Sequence, residues 1–161
     1  MKKEKQEFSY TVYDSIEELP NAESGLLKRA KEATGNSYAP YSHFYVGAAA
    51  ELNNGTIVTG SNQENASFPV GICAERVLLS SISSQYPNIP IKMIAISYKS
   101  DDVKSDHPVA PCGICRQTLQ EYEQRLHHPI KLILGGETGK IIVIEKASHL
   151  LPLGFTSDDL G

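Results

Sequence analysis

No stretch of the 161 residues is apolar for long enough to span a bilayer, so no membrane segment is expected. The opening run, Met1-Lys2-Lys3-Glu4-Lys5-Gln6-Glu7, is charged and leads into no apolar h-region, so no secretory leader is expected either. The chain has no surplus of positive charge: its formal charge of −4 exerts no net pull on a polyanion and argues against a nucleic-acid polymer as partner. Cysteine is scarce, with three in all, and their spacing is that of metal ligands and not of a disulfide framework. That usage fits a reducing compartment, and the cytoplasm is the expected location. With 40% hydrophobic and 21% charged residues, the composition is that of an ordinary globular domain long enough to bury a core. Residues 1–20 read as an N-terminal extension and 21–161 as a single domain.

All three cysteines fall in two short runs, Cys73-Ala74-Glu75-Arg76 and Pro111-Cys112-Gly113-Ile114-Cys115-Arg116. Three thiolates suit a zinc ion, and a zinc site with only three protein ligands keeps its fourth position for water. Glu75, two residues after the first cysteine, is placed to take a proton from that water and return it later, as a general base and then a general acid. A lone C-x-x-C would read first as structural zinc or redox chemistry. The third cysteine in a Cys-x-Glu setting, with a proline before the C-x-x-C, turns the reading toward a catalytic zinc site. The alternative is a structural zinc ribbon, which would not need Glu75.

The order of elements follows from periodicity and breakers. Phe8–Tyr13 alternates apolar and polar and reads equally as an edge strand or a surface tail. Asn21 can cap a helix with Leu26, Leu27, Ala30 and Ala33 on one side, ending near Gly35. Tyr38 to Phe44 is broken by Pro40 and feeds a strand over 45–52, whose small residues allow something to pack very close. Asn53-Asn54-Gly55 makes a hairpin turn into a strand over 56–60. A helix from Cys73 to Ile82, a strand over 91–98, a helix opening at Pro111, and strands over 130–134 and 141–144 complete the set. The pattern predicts an α/β fold of three layers, α/β/α, with a five-stranded mixed sheet. Two of its helices would begin at the zinc, turning their positive ends toward the thiolates. Arg76 could donate to the sulfurs and offset their charge from behind, whereas Arg116 reads equally as a sulfur donor or a surface residue. The five histidines, His43, His107, His127, His128 and His149, lie outside these motifs.

From about Leu26 to Leu160 the chain resembles the cytidine deaminase family in its small homotetrameric branch. The segments that carry the resemblance are Ser37–Ser42 with Phe44, Val46–Ala49, Gly60–Ala66, Cys73–Arg76, Pro111–Gln117 and Leu150–Phe155. The resemblance implies the cytidine deaminase fold and one zinc per subunit on Cys73, Cys112 and Cys115. It implies hydrolytic deamination of cytidine and deoxycytidine, with zinc-bound hydroxide attacking C4 and Glu75 as proton shuttle. It also implies that Asn62 and Glu64 bind the ribose 3′-hydroxyl, and that Phe44 packs on the pyrimidine. The Ala74 N–H would hold O2, the Ala110 carbonyl would accept from the exocyclic amine, and Phe155 would reach a neighbouring subunit's site in a homotetramer. Phe68 stands where relatives usually carry Tyr. A deaminase of an aminopyrimidine antibiotic would keep the same zinc core, while a nucleic-acid editing enzyme would want a basic face that is lacking here.

Overall fold

The computed structural model describes residues 1–161. Its frame is one mixed sheet built from β1 (Thr11–Tyr13), β2 (Phe44–Leu52), β3 (Ile57–Ser61), β4 (Ile91–Ser100), β5 (Lys131–Gly135) and β6 (Ile141–Ile144). The strands lie in the order β1-β6-β5-β4-β2-β3. Only β4 and β5 run parallel; every other neighbouring pair is antiparallel. A parallel pair needs a crossover, and α3 (Gly113–Leu126) supplies it between β4 and β5.

The sheet has six strands, one more than the five expected. The extra one is β1, where Thr11, Val12 and Tyr13 pair with Val143, Ile142 and Ile141 of β6. Three residues, two of them exposed, are too few to impose a period, and pairing with β6 makes this an edge strand and not a tail.

Helices cover both faces, as a three-layer α/β/α fold requires. On one side α1 (Asn21–Ala33) packs Leu26, Leu27 and Ala30 against Ala49, Met93, Ala95 and Ile133. On the other, α2 (Ala74–Gln85) and α3 pack Leu78, Leu79, Ile82 and Leu119 against Ala48, Ala50, Ile94, Ile96 and Leu132. Because both faces are covered, the central strands read as unbroken apolar runs and not as alternation. No helix is long and apolar enough to cross a membrane.

Two helix starts differ from the expectation. Asn21 is the first residue of α1, not its cap; Pro20 holds the cap position without a side-chain bond. Pro111 lies outside α3, because Cys112 has an extended backbone (φ −67°, ψ 169°) and helical geometry starts only at Gly113.

The small residues of the hairpin do allow close packing. A Cβ on Gly47 would overlap the Ala30 carbonyl of α1. On Gly60 of β3, a Cβ would stand 2.7 Å from the Ala74 carbonyl oxygen and 2.6 Å from the Leu78 nitrogen. The first turn of α2 therefore rests directly on β3, and Gly60 sets its height. Gly60→Ala is expected to destabilise the fold by about 1–3 kcal/mol, the usual cost of overpacking. Gly25→Ala, in an open position on α1, is expected to stabilise it by about 0.5–1 kcal/mol. Thermal unfolding of the two variants beside the parent checks both signs.

Candidate active site

Two helices begin at one place. Cys73 is the N-cap residue of α2, Cys112 is the N-cap residue of α3, and Cys115 lies in the first turn of α3. Both helices lie on the same face of the sheet, so their N-terminal ends and unpaired N–H groups converge on the three sulfurs. The Cys73 and Cys112 sulfurs are 3.9 Å apart, those of Cys112 and Cys115 are 3.6 Å apart, and all three lie within 4.8 Å of one another. A tetrahedron with zinc–sulfur bonds of about 2.3 Å has edges of about 3.8 Å, so the cluster fits zinc. No histidine or carboxylate joins the three cysteines, which leaves one position without a protein ligand. A hydrogen bond from Cys115 holds the Cys73 thiol down to about 6, against the opposing effect of burial. The same bond, with burial, pushes the Cys115 thiol up.

Beside the sulfurs a cavity of about 360 Å³ opens, within the size range of small-molecule sites. Glu75, in the first turn of α2 and 5% exposed, lines it together with Cys73 and Cys112. Burial pushes the Glu75 carboxyl above the usual carboxylate range, as for a group able to carry a proton in the folded state. Ala74 is fully buried at the first position of α2, where its N–H has no intrahelical partner. Ala110 lines the cavity immediately before Pro111 and Cys112.

The opposite wall is aromatic and polar. Phe44, at the start of β2, faces the cavity and stacks on Tyr98 with ring centroids 4.9 Å apart and planes 16° apart. Asn62, just after β3, also lines the cavity. Its Oδ1 accepts from the Val46 N–H at 2.7 Å and its Nδ2 donates to the Phe44 carbonyl at 2.9 Å, leaving a second amide hydrogen free. Glu64, at the mouth, accepts from the Tyr41 N–H at 2.9 Å and the Ser42 N–H at 3.3 Å. Hydrogen bonds from Ser42 and from these N–H groups hold its carboxyl below the usual range. Phe68 lines the same mouth, packed edge-on against Tyr41 at 5.6 Å.

Three further residues stand at the periphery. The Arg76 charge favours the Cys73 thiolate, and its guanidinium makes no hydrogen bond to a sulfur. Arg116 is neither a sulfur donor nor a free surface residue: its Nε donates to the Pro111 carbonyl at 2.7 Å and its Nη1 to the Leu150 carbonyl at 3.1 Å. Phe155 is 57% exposed and does not line this cavity within its own chain. Its carbonyl is held by the side-chain amides of Gln117 at 2.8 Å and Gln120 at 3.1 Å.

Sequence reasoning missed Tyr98 as a cavity residue. The available signal was its register on β4, two residues beyond Ile96, which also lines the cavity.

A family model described as the cytidine and deoxycytidylate deaminase zinc-binding region matches residues 20–127, a span that holds all three cysteines and Glu75. The chain is 38% identical over 135 residues to a cytidine deaminase of Halalkalibacterium halodurans, a match that covers 84% of this chain and 95% of the relative. It is 30% identical over 146 residues to a cytidine deaminase of Mycobacterium tuberculosis, covering 88% and 96%. The crystal structure of cytidine deaminase from Burkholderia pseudomallei superposes with a TM-score of 0.70 at 35% identity, covering 85% of this chain and all of that one. With the family model, the relatives and the fold in agreement, the chain belongs to the zinc-dependent cytidine and deoxycytidylate deaminase family.

Proposed function

We propose that this protein hydrolyses cytidine and deoxycytidine to uridine and deoxyuridine with release of ammonia, a reaction of pyrimidine salvage. The observation that carries the reading is a buried carboxyl, Glu75, sharing one cavity with Cys73 and Cys112, two of three thiols set at zinc-binding distances. Zinc bound by Cys73, Cys112 and Cys115 supplies the Lewis acidity that makes water nucleophilic near neutral pH. Glu75 would take one proton from the attacking water and deliver it to ring N3 as the water oxygen bonds to C4. It would then take the proton of the new C4 hydroxyl and give it to the exocyclic nitrogen as the C4–N bond breaks and ammonia leaves. Its burial excludes competing water and keeps the proton at the reacting centre.

The remaining residues orient the base and sugar. Phe44 packs on the pyrimidine, the Ala74 N–H holds O2, and the Ala110 carbonyl accepts from the exocyclic amine. The free hydrogen of Asn62 and the Glu64 carboxylate bind the ribose 3′-hydroxyl, and Arg76 acts through its charge on Cys73. The lining of the cavity includes no Lys, Arg or His, while Glu64 places negative charge at its mouth. A nucleoside suits that lining and a nucleotide, with its phosphate, does not. The exposed Phe155, anchored only by its carbonyl, fits a homotetramer in which it completes a neighbour's site. Residues 1–20 are an extension that lends the domain at 21–161 its edge strand β1 and the buried Leu19, and three free thiols suit the cytoplasm.

Glu75→Ala is expected to keep one zinc per subunit and lose at least about 10²–10⁴-fold in kcat with cytidine. Metal analysis beside steady-state kinetics tests this; full activity in that variant would remove the carboxyl from the mechanism. Cytidine 5′-monophosphate is expected to show no measurable turnover under conditions where cytidine is consumed, and efficient turnover of the nucleotide would contradict the reading of Glu64. Co-expressing Phe155→Ala with Glu75→Ala is expected to yield more activity than either variant alone, because mixed tetramers contain sites with an intact Glu75 and a neighbour's Phe155. Activity no higher than the sum of the parents would show that Phe155 serves only its own chain.

A further inference from the structure

Tyr98 has no part in the chemistry above, yet it is built into the cavity wall. Its ring is 3% exposed and stacked nearly parallel on Phe44. Its hydroxyl lies 3.4 Å from the Lys104 carbonyl, to which it can donate, and 3.3 Å from His107 Nδ1. The His107 ring packs edge-on against it at 5.9 Å. These partners belong to the segment between β4 and α3, and that segment is pinned on both sides. The buried Ser105 accepts from the Ser100 N–H through its Oγ at 3.0 Å, and from the Thr138 N–H through its carbonyl at 3.1 Å. Gly136 passes so close that a Cβ there would overlap the Ser105 carbonyl. Tyr98 is thus a fixed plate.

Phe44 needs such a plate. It begins β2 directly after His43, whose φ of 49° turns the chain sharply. Its backbone is held, by the Ser42 hydroxyl on its N–H at 3.2 Å and by Asn62 on its carbonyl at 2.9 Å, but neither bond fixes the ring. An aromatic side chain at a strand end, unsupported, is free to turn about χ1 and loses that freedom on stacking against a ligand. With one face covered by Tyr98, the ring presents its other face to the cavity at a set angle.

We propose that Tyr98 is a positioning residue for substrate recognition, holding the Phe44 ring in place to stack on the pyrimidine. This rests on the reading that the cavity takes a cytosine nucleoside. Tyr98 acts through Phe44 and does not touch the reacting atoms, so its effect falls on binding. Removing the ring while keeping an apolar filler removes one aromatic pair, which corresponds to about a 2- to 12-fold change in an equilibrium constant.

The test is a double-mutant cycle with KM and kcat for cytidine on the zinc-loaded protein. Tyr98→Leu is expected to raise KM about 2- to 12-fold with kcat changed by less than that factor. Tyr98→Phe, which keeps the ring, is expected to bring KM back to within about twofold of the parent. In a Phe44→Leu background, Tyr98→Leu is expected to add nothing further, because the two act as one unit. Zinc content and thermal midpoints accompany each variant, and Tyr98→Met, a flexible filler without a ring, replaces Tyr98→Leu should that variant not fold. An unchanged KM in the ringless variant, a loss confined to kcat, or full additivity with Phe44→Leu overturns the proposal. A parent protein inactive on every cytosine nucleoside overturns the functional reading beneath it, and with it the role given to Tyr98.

Discussion

Everything at this centre depends on two helix N-termini meeting around three sulfurs. A thiolate is expensive to bury alone, and here each one lies at or inside a helix's first turn, where free N–H groups and the helix dipole favour negative charge. The meeting point is fixed by the sheet. Gly60 lets the first turn of α2 rest on β3, and the β4–α3–β5 crossover brings α3 up on the same face. The chain enters α3 through Pro111, whose carbonyl Arg116 holds one turn later. Glu75 is positioned by the same device: it lies in the first turn of α2, two residues after the cap Cys73, and lines the same cavity as Cys73 and Cys112.

The helix that carries two ligands at its start also organises the chain's end. Glu123 is buried in α3 and accepts from the backbone N–H groups of Ile130, Ala147 and Ser148, which ties β5 and the turn after β6 to the helix. Arg116, Gln117 and Gln120, on the earlier turns, hold the carbonyls of Leu150 and Phe155. Gly154 packs against the Gln120 amide, which a Cβ there would push aside. One helix therefore sets both the metal site and the direction in which the C-terminal arm leaves the domain. Phe155 is an exposed ring on a rigid mount and not a loose tail.

The parts legible in the sequence are those whose information is local. Cys73-x-Glu75 and Cys112-x-x-Cys115 are spacings within one helical turn, and they announce metal and carboxyl without reference to anything distant. Apolar runs such as Ile94-Ala95-Ile96 and Leu132-Ile133-Leu134 announce strands covered on both faces. The illegible parts are those whose partner is far along the chain. Arg116 finds Leu150 34 residues away, and Asn62 finds Val46 16 residues back. Tyr98 is read easily as a strand residue, but its stacking on Phe44 follows only from the register that puts Phe44 opposite Ser100. β1 owes its existence to β6 and not to its own pattern.

The most direct measurement is the ultraviolet absorbance of zinc-loaded protein mixed with cytidine, with ammonia determined in parallel. The account predicts that the cytosine absorbance gives way to that of uracil, with one ammonia released per nucleoside consumed. Protein that binds zinc through its three thiols yet leaves cytidine and deoxycytidine unchanged would contradict it, and would leave a different substrate or a structural metal centre.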